Sequence, residues 1–184
     1  IGESDVSRPY AISSAPKAAL EKKISVTVKK CGFFSEYLCE QAKVGDEFLI
    51  GDPSGDFCYE GARDASLVVA CAGGSGITPF YSMAQAIADG TENFSLVIFC
   101  GDKKEFDIAF RKELDALACD KIKVVYVLSD EKKEGFEHGF ITADLIQKYV
   151  AQEDFTLMMC GPGAMYKFLE GEVKKLGLPL RRVR

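Results

Sequence analysis

Four short apolar runs alternate with stretches of helical periodicity, and this constrains the fold more than any other feature of the chain. The runs are Leu67-Val-Val-Ala-Cys71, Leu96-Val-Ile-Phe-Cys100, Ile122-Lys-Val-Val-Tyr-Val-Leu128 and Phe155-Thr-Leu-Met-Met-Cys160. Each has the length of one strand and the near-continuous apolar character of a strand covered on both faces. Between the first two, Phe80, Met83, Ala84 and Ile87 recur at the i, i+3, i+4, i+7 spacing of an amphipathic helix. Thr78 is expected to cap that helix and Pro79 to sit in its first turn. Further helices are expected over Ile108 to Leu117, Ala143 to Tyr149 and Ala164 to Leu176, the last stopped by Gly177. Strand-helix alternation of this kind predicts a doubly wound parallel sheet with right-handed crossovers over residues 64–184.

The first third reads differently. Ile24, Val26 and Val28 alternate with polar residues, as in a strand with one buried face, and Phe48-Leu49-Ile50 is a second short apolar run. Gly51-Asp-Pro-Ser-Gly-Asp56 then supplies turn chemistry. Residues 1–63 are therefore expected to form a small antiparallel β unit, so that the fold class is α/β plus all-β.

Bulk properties exclude several functions. A net charge of -5 argues against a protein that neutralises a nucleic-acid backbone. No apolar run approaches the roughly 20 residues needed to span a bilayer, and no basic-then-apolar leader opens the chain; the expectation is a cytoplasmic protein. Seven cysteines stand singly without C-x-x-C or any spacing suited to zinc or an iron-sulfur cluster, which fits reduced thiols packed as small apolar groups, with no metal expected.

Ala72-Gly73-Gly74-Ser75-Gly76-Ile77-Thr78-Pro79 lies where the first parallel strand meets its helix, the place at which an open α/β sheet binds a dinucleotide. Glycines let backbone approach a pyrophosphate, and the helix start offers free N–H groups. Pro79 stands where the third glycine of G-x-G-x-x-G would be. In Arg8-Pro9-Tyr10-Ala11-Ile12-Ser13-Ser14, an arginine fork suits a phosphate and a tyrosine two residues on suits a flat heterocycle. Gly32-Phe33-Phe34-Ser35 could begin a phosphate-binding helix or simply a capped one.

Taken in order, Arg8-Pro-Tyr10, Gly32-Phe-Phe-Ser35, Gly51-Asp-Pro-Ser-Gly55, Gly73-Gly-Ser-Gly-Ile-Thr-Pro79, Gly101 with Asp107-Ile108, and Cys160-Gly-Pro-Gly-Ala-Met165 resemble the ferredoxin-NADP reductase family over essentially the whole chain. The resemblance implies a partial antiparallel flavin-binding β-barrel (1–63) followed by a nucleotide-binding α/β domain (64–184). It implies FAD, with FMN as the alternative, and NADH or NADPH as electron donor. By the same resemblance Arg8, Tyr10, Ala11, Ser13, Gly32, Phe34 and Ser35 would contact flavin, with Tyr10 stacked on the isoalloxazine. Gly73, Gly74, Ser75, Gly76 and Thr78 would cradle the dinucleotide, Ser129 and Asp130 would lie where NADP-dependent relatives bind the 2′-phosphate, and Gly161, Pro162 and Met165 would also contact the cofactor. Tyr10 and Cys160 are the residues it places at the reacting atoms, Cys160 beside nicotinamide C4; the competing reading of Cys160 is a strand-end core cysteine.

The chain departs from that family in two respects. The family's earliest barrel strands precede the Arg-x-Tyr strand, which here begins at Arg8, so a truncated barrel is expected; and Ala11 replaces the usual hydroxyl residue facing flavin N5. NADH is expected over NADPH, because Asp130 and Glu131 follow Ser129 where NADP-dependent relatives carry arginine, and Phe140 replaces a tyrosine. His138, the one histidine, reads as a solvated loop residue, since hydride transfer needs alignment more than a proton carrier. The Lys132-Lys133 and Arg181-Arg182 pairs read as solvated, with docking of an acidic partner as a secondary role. The acceptor is expected to be a redox protein or an appended iron-sulfur domain. Two alternatives remain: an electron-transfer subunit similar to that of dihydroorotate dehydrogenase, and a flavin-free nucleotide-binding fragment.

Overall fold

The computed structural model describes residues 6–151 and 154–184. Among them, five parallel strands form one sheet: β1 (Leu67–Gly73), β2 (Ser95–Asp102), β3 (Ile122–Leu128), β4 (Glu137–His138) and β5 (Thr156–Cys160), in the order β4-β3-β2-β1-β5. The central strands are in close register, with Leu67 opposite Ser95, Leu96 opposite Ile122, and Val68 opposite Thr156. All seven residues of β1 are buried, as its uninterrupted apolar run requires.

Five α-helices are described: α1 (Phe33–Glu40), α2 (Thr78–Ala88), α3 (Arg111–Leu117), α4 (Ala143–Tyr149) and α5 (Gly163–Leu176). Alternation along each strand divides the core between two faces of the sheet. Val68, Ala70, Leu96, Ile98 and Tyr126 pack with Phe80, Ala84, Ile87 of α2 and Leu114 of α3. Val69, Cys71, Val97, Phe99 and Val127 pack with Ile146 of α4 and Leu169 of α5. This is the doubly wound arrangement that the sequence predicts. Buried Cys71 and Cys100 behave as apolar groups, and burial raises the Cys71 thiol to about 12.

Three local readings are corrected. Thr78 does not cap α2: it is the first helical residue after a 3-10 turn (Gly74–Ile77), and its Oγ1 donates to the Ser75 carbonyl (3.1 Å). The helix expected from Ile108 begins at Arg111, because Phe110 adopts a left-handed backbone (φ 57°) and its ring stacks on Tyr81 at 4.2 Å. β4 went unread, since its two residues carry no periodicity. On α4, Thr142 Oγ1 accepts from the Leu145 amide (3.1 Å) and the nearly buried Glu172 carboxylate accepts from the Ala143 amide (2.8 Å), so that two side chains satisfy its first turn.

The first 63 residues give no barrel among those described. Where strands were expected over Ile24 to Lys29 and Phe48 to Ile50, one antiparallel bridge forms, Ile12 with Val26, and Phe48 to Ile50 have no regular structure. A strand persists only where its N–H and C=O groups meet a neighbour and its apolar face meets a core. Here Leu49 and Ile50 are exposed and no strand lies beside them. The segment is nevertheless tied to the sheet domain. Ser82 Oγ of α2 donates to the Ser14 carbonyl (2.7 Å), and Gln85 Nε2 donates to the Ser13 carbonyl (2.8 Å). Among the described residues no helix is long and apolar enough to cross a membrane.

Candidate functional site

In sequence order the chain builds β1, β2, β3 and β4 outward in one direction, then returns to add β5 on the other side of β1. The carboxyl ends of β1 and β5 therefore flank the topological switch point, where crossovers diverge to opposite faces and leave a crevice. The two loops that enter this crevice are Gly73 to Thr78 and Cys160 to Met165.

These loops touch through backbone. A Cβ at Gly76 would overlap the Cys160 carbonyl and lie 2.8 Å from the Gly161 nitrogen. One at Gly73 would lie 2.6 Å from Met165 Sδ and 2.9 Å from Pro162 Cδ, and one at Gly161 would lie 3.1 Å from the Gly73 nitrogen. The glycines read as making room for a pyrophosphate thus serve first to let the two loops close on each other, and the Met165 side chain packs between them. Gly74 instead needs its glycine for conformation (φ 53°). Ser75 is exposed at the mouth, and Thr78 is buried. Cys160 is half-buried at the end of β5, and burial pushes its thiol above the usual cysteine range, so that it stays protonated at neutral pH.

Two residues that the sequence reading did not single out stand at the same mouth. Lys29 brings its Nζ to 3.8 Å from the Cβ position of Gly74. Asp102 ends β2, directly after Gly101, which is opposite Gly73. Its carboxyl is pushed up to about 7, first by burial and then by Asp107, with Lys29 pulling the other way. Nothing in the sequence marks Lys29, because its position depends on how the first segment folds over the glycine turn.

The Asp102 shift carries a pH prediction. The unfolded chain releases this proton near pH 4, but the folded chain holds it to about pH 7. Between those values the folded state binds more protons, so stability falls as pH rises, and the full penalty applies above pH 7. Asp102→Asn cannot ionise. After discounting for partial solvent screening it should gain about 2 kcal/mol at pH 8 and little at pH 4.5, about 6 °C in Tm. Thermal unfolding at both pH values checks this; an equal change at both would contradict it.

Ser129 and Asp130 follow β3 on the far side of β2. Their amides donate to the carbonyls of Asp102 and Lys103 (both 3.0 Å), which zips the loop after β3 to the loop after β2. Ser129 Oγ donates to Asp130 Oδ1 (2.6 Å). Phe140 is exposed against Phe168, centroids 5.4 Å apart. His138, read as a solvated loop residue, lies in the short β4; its ring is exposed, with Nδ1 3.1 Å from the Glu131 carbonyl.

The residues expected at a flavin lie on the first segment. Arg8 is exposed, its Nη1 donating to the neighbouring Ser7 carbonyl (2.7 Å). The Tyr10 and Phe34 rings face each other at 6.5 Å, Ala11 is exposed, and Gly32 (φ 89°) opens α1 with free space around it. Arginine fork, aromatic pair and open helix start fit a flavin and its phosphates. Two hydroxyls do not face outward. Ser35 Oγ donates to the Gly32 carbonyl (2.8 Å) and accepts from the Cys31 amide (2.7 Å), and Ser13 is buried between Ser25 and Thr27.

A parallel sheet with a glycine turn and an apposed Cys-Gly-Pro loop at its switch point defines a dinucleotide-binding α/β domain. Comparison with known proteins gives its family: the profile of the oxidoreductase NAD-binding domain matches residues 71–171, and the chain belongs to that family. Nitrate reductase [NADH] 2 of Phaseolus vulgaris is 32% identical over 167 residues, 82% of this chain and 19% of that protein. NADH-cytochrome b5 reductase 1 of Candida glabrata is 30% identical over 189 residues, 97% of this chain and 65% of that protein. The chain thus spans less than two thirds of either relative. Among solved structures, the cytochrome b5 reductase domain of Ulva prolifera nitrate reductase superposes with a TM-score of 0.71 at 26% identity, covering 85% of this chain and 69% of that one. The resemblance read from the six ordered motifs is borne out for the family and for the parallel-sheet nucleotide-binding part of the fold.

Proposed function

We propose that this chain is the NADH-binding part of a flavoprotein reductase, in which hydride passes from NADH to FAD and the electrons go on to a redox protein or an appended iron-sulfur domain. The observation that carries the reading is the Gly73–Thr78 turn seated against Cys160 and Gly161 at the switch point. The names of the relatives, NADH-dependent reductases, support it.

In this reading the N–H groups at the 3-10 turn and the start of α2 hold the dinucleotide pyrophosphate, with Gly73, Gly74, Ser75, Gly76 and Thr78 as its cradle. Gly161 and Pro162, at the end of β5, would hold the nicotinamide half, with Met165 packed against Gly73 and Gly161 to fix that loop. Cys160, half-buried with its thiol pushed above the usual cysteine range by burial, acts as a neutral thiol that shapes the nicotinamide site. Arg8, Tyr10, Ala11, Gly32, Phe34 and Ser35 hold the flavin, Tyr10 by its ring, Arg8 by its guanidinium and the Gly32 to Ser35 turn by its amides; buried Ser13 anchors the segment to α2. When bound, FAD supplies the capacity to accept two electrons as a hydride and release them singly. The chain's own contribution is alignment and exclusion of water, and neither requires a proton-carrying side chain.

Asp130 and Glu131 favour NADH. Asp130 stands where the ribose is expected, and a carboxylate accepts hydrogen bonds from ribose hydroxyls but repels a 2′-phosphate. The test is titration of this chain with NAD+ and NADP+ by calorimetry, together with flavin reduction by NADH in the complete protein. NAD+ should bind roughly tenfold or more tightly than NADP+. A chain that binds neither nucleotide would overturn the reading, and equal affinities would overturn the NADH preference.

A further inference from the structure

We propose that Glu105 sets the choice between NADH and NADPH by holding the Lys133 ammonium away from the adenosine ribose; this rests on the nucleotide-binding reading above. The sheet order fixes where the adenosine half lies. With the nicotinamide over β5 and the pyrophosphate over β1, an extended dinucleotide places its other half over the carboxyl ends of β2 and β3. The loops there carry both carboxylates and lysines, so the ribose environment depends on which charges are free.

The structure shows which are engaged. Glu105 begins the 3-10 turn after β2 (Glu105–Asp107), and its carboxylate pairs with Arg111 through one oxygen and Lys133 through the other. Its amide donates to Glu131 Oε2 (3.0 Å), so side chain and backbone both bind the loop after β3. Lys133 lies between this carboxylate and the Phe136 ring, its Nζ 5.9 Å from the centroid. Arg111 is held more completely, with Asp115 at 3.8 Å and the Phe136 and Tyr126 rings at 4.8 and 5.6 Å. The two cations also hold the Glu105 carboxyl below its ordinary range, so it is ionised throughout neutral pH.

Of the two partners, Lys133 is the one that could move: it is the more exposed, and its ammonium rides on a flexible four-carbon stem. It lies three residues beyond Asp130. Released, it would reach a 2′-phosphate and offset the Asp130 and Glu131 carboxylates. While Glu105 holds it, Lys133 does not offset the negative charge of Asp130 and Glu131, and the site discriminates against the extra phosphate. Glu105 is a positioning residue in this scheme, acting through Lys133.

Glu105→Gln keeps size and hydrogen-bonding capacity but removes the charge. Calorimetric titration of the variant should show NADP+ binding roughly tenfold tighter than in the unaltered chain, with NAD+ affinity moved less than about twofold. Glu105→Gln/Lys133→Gln should lose that gain, because the released cation is then absent. An unchanged NADP+ to NAD+ ratio in Glu105→Gln overturns the proposal. So does a gain that persists in the double variant, since the cation would not be Lys133. If both affinities fall together, Glu105 acts on loop structure and the proposal likewise fails. Failure of the unaltered chain to bind either nucleotide would instead overturn the functional reading on which the proposal rests.

Discussion

Replacing Gly76 with alanine should lower the melting temperature by about 10 °C and weaken NAD+ binding by more than about tenfold. The added Cβ would overlap the Cys160 carbonyl and crowd the Gly161 nitrogen, which are backbone atoms at the end of a central strand. Neither can swing aside as the tip of a side chain could. Overpacking a well-filled interior typically costs 1–3 kcal/mol, and a backbone-to-backbone clash belongs at about 3 kcal/mol. Relief requires the β1 and β5 loops to separate, which widens the crevice proposed to hold the dinucleotide, so that stability and binding should fail together. Gly171 in α5 provides the comparison. It has no atom within 4 Å of its Cβ position and no positive φ, so Gly171→Ala should be neutral or stabilise by about 0.5–1 kcal/mol. Thermal unfolding and NAD+ calorimetry on both variants check the argument. Matching melting temperatures would contradict it.

Asp64→Ala should cost about 3–5 kcal/mol, because it removes one partner of a buried ion pair and leaves the other charge without compensation. The Asp64 side chain is fully buried and accepts from Arg184 Nη2 at 2.6 Å and from the Glu60 amide at 2.8 Å. Arg184 Nη1 also donates to the carbonyls of Asp56 and Cys58 (3.3 Å each). Its backbone pairs with β5, the Arg184 amide to Leu157 and its carbonyl to the Met159 amide, beside the parallel Leu157–Val183 bridge. One guanidinium therefore ties the chain entering β1 to a segment that extends the sheet beyond β5. Asp64→Ala/Arg184→Met should recover part of the loss, because burying two apolar groups is often no worse than burying the pair. Chemical denaturation of the single and double variants gives the coupling; a double variant as unstable as the sum of the single changes would show that the pair does not act as a unit.

The nucleotide-binding half was legible in the sequence because its signals are local. An uninterrupted run such as Leu67 to Cys71 implies a strand covered on both faces, the spacing of Phe80, Met83, Ala84 and Ile87 implies one helical face, and the glycine turn between them implies a crevice. The antiparallel half was less legible for the converse reason: alternation at Ile24, Val26 and Val28 states which face a strand would bury but cannot supply the neighbouring strand. Here that neighbour is reduced to the bridge between Ile12 and Val26.

What the amino-acid sequence determined by itself is the succession of the four long strands and their helices, the parallel sheet and the family, since these depend on periodicity and on short motifs in fixed order. The tertiary structure alone decided that Gly73 and Gly76 serve the closure of the loops that follow the neighbouring strands β1 and β5, that Lys29 and Asp102 share the mouth, and that Lys133 is engaged by Glu105. Glu105 and Lys133 are 28 residues apart and Asp64 and Arg184 are 120 apart, so neither pairing leaves a local trace in the chain. Charge and burial at such positions depend on which strands become neighbours, and that is settled only when the sheet closes its order with β5 beside β1.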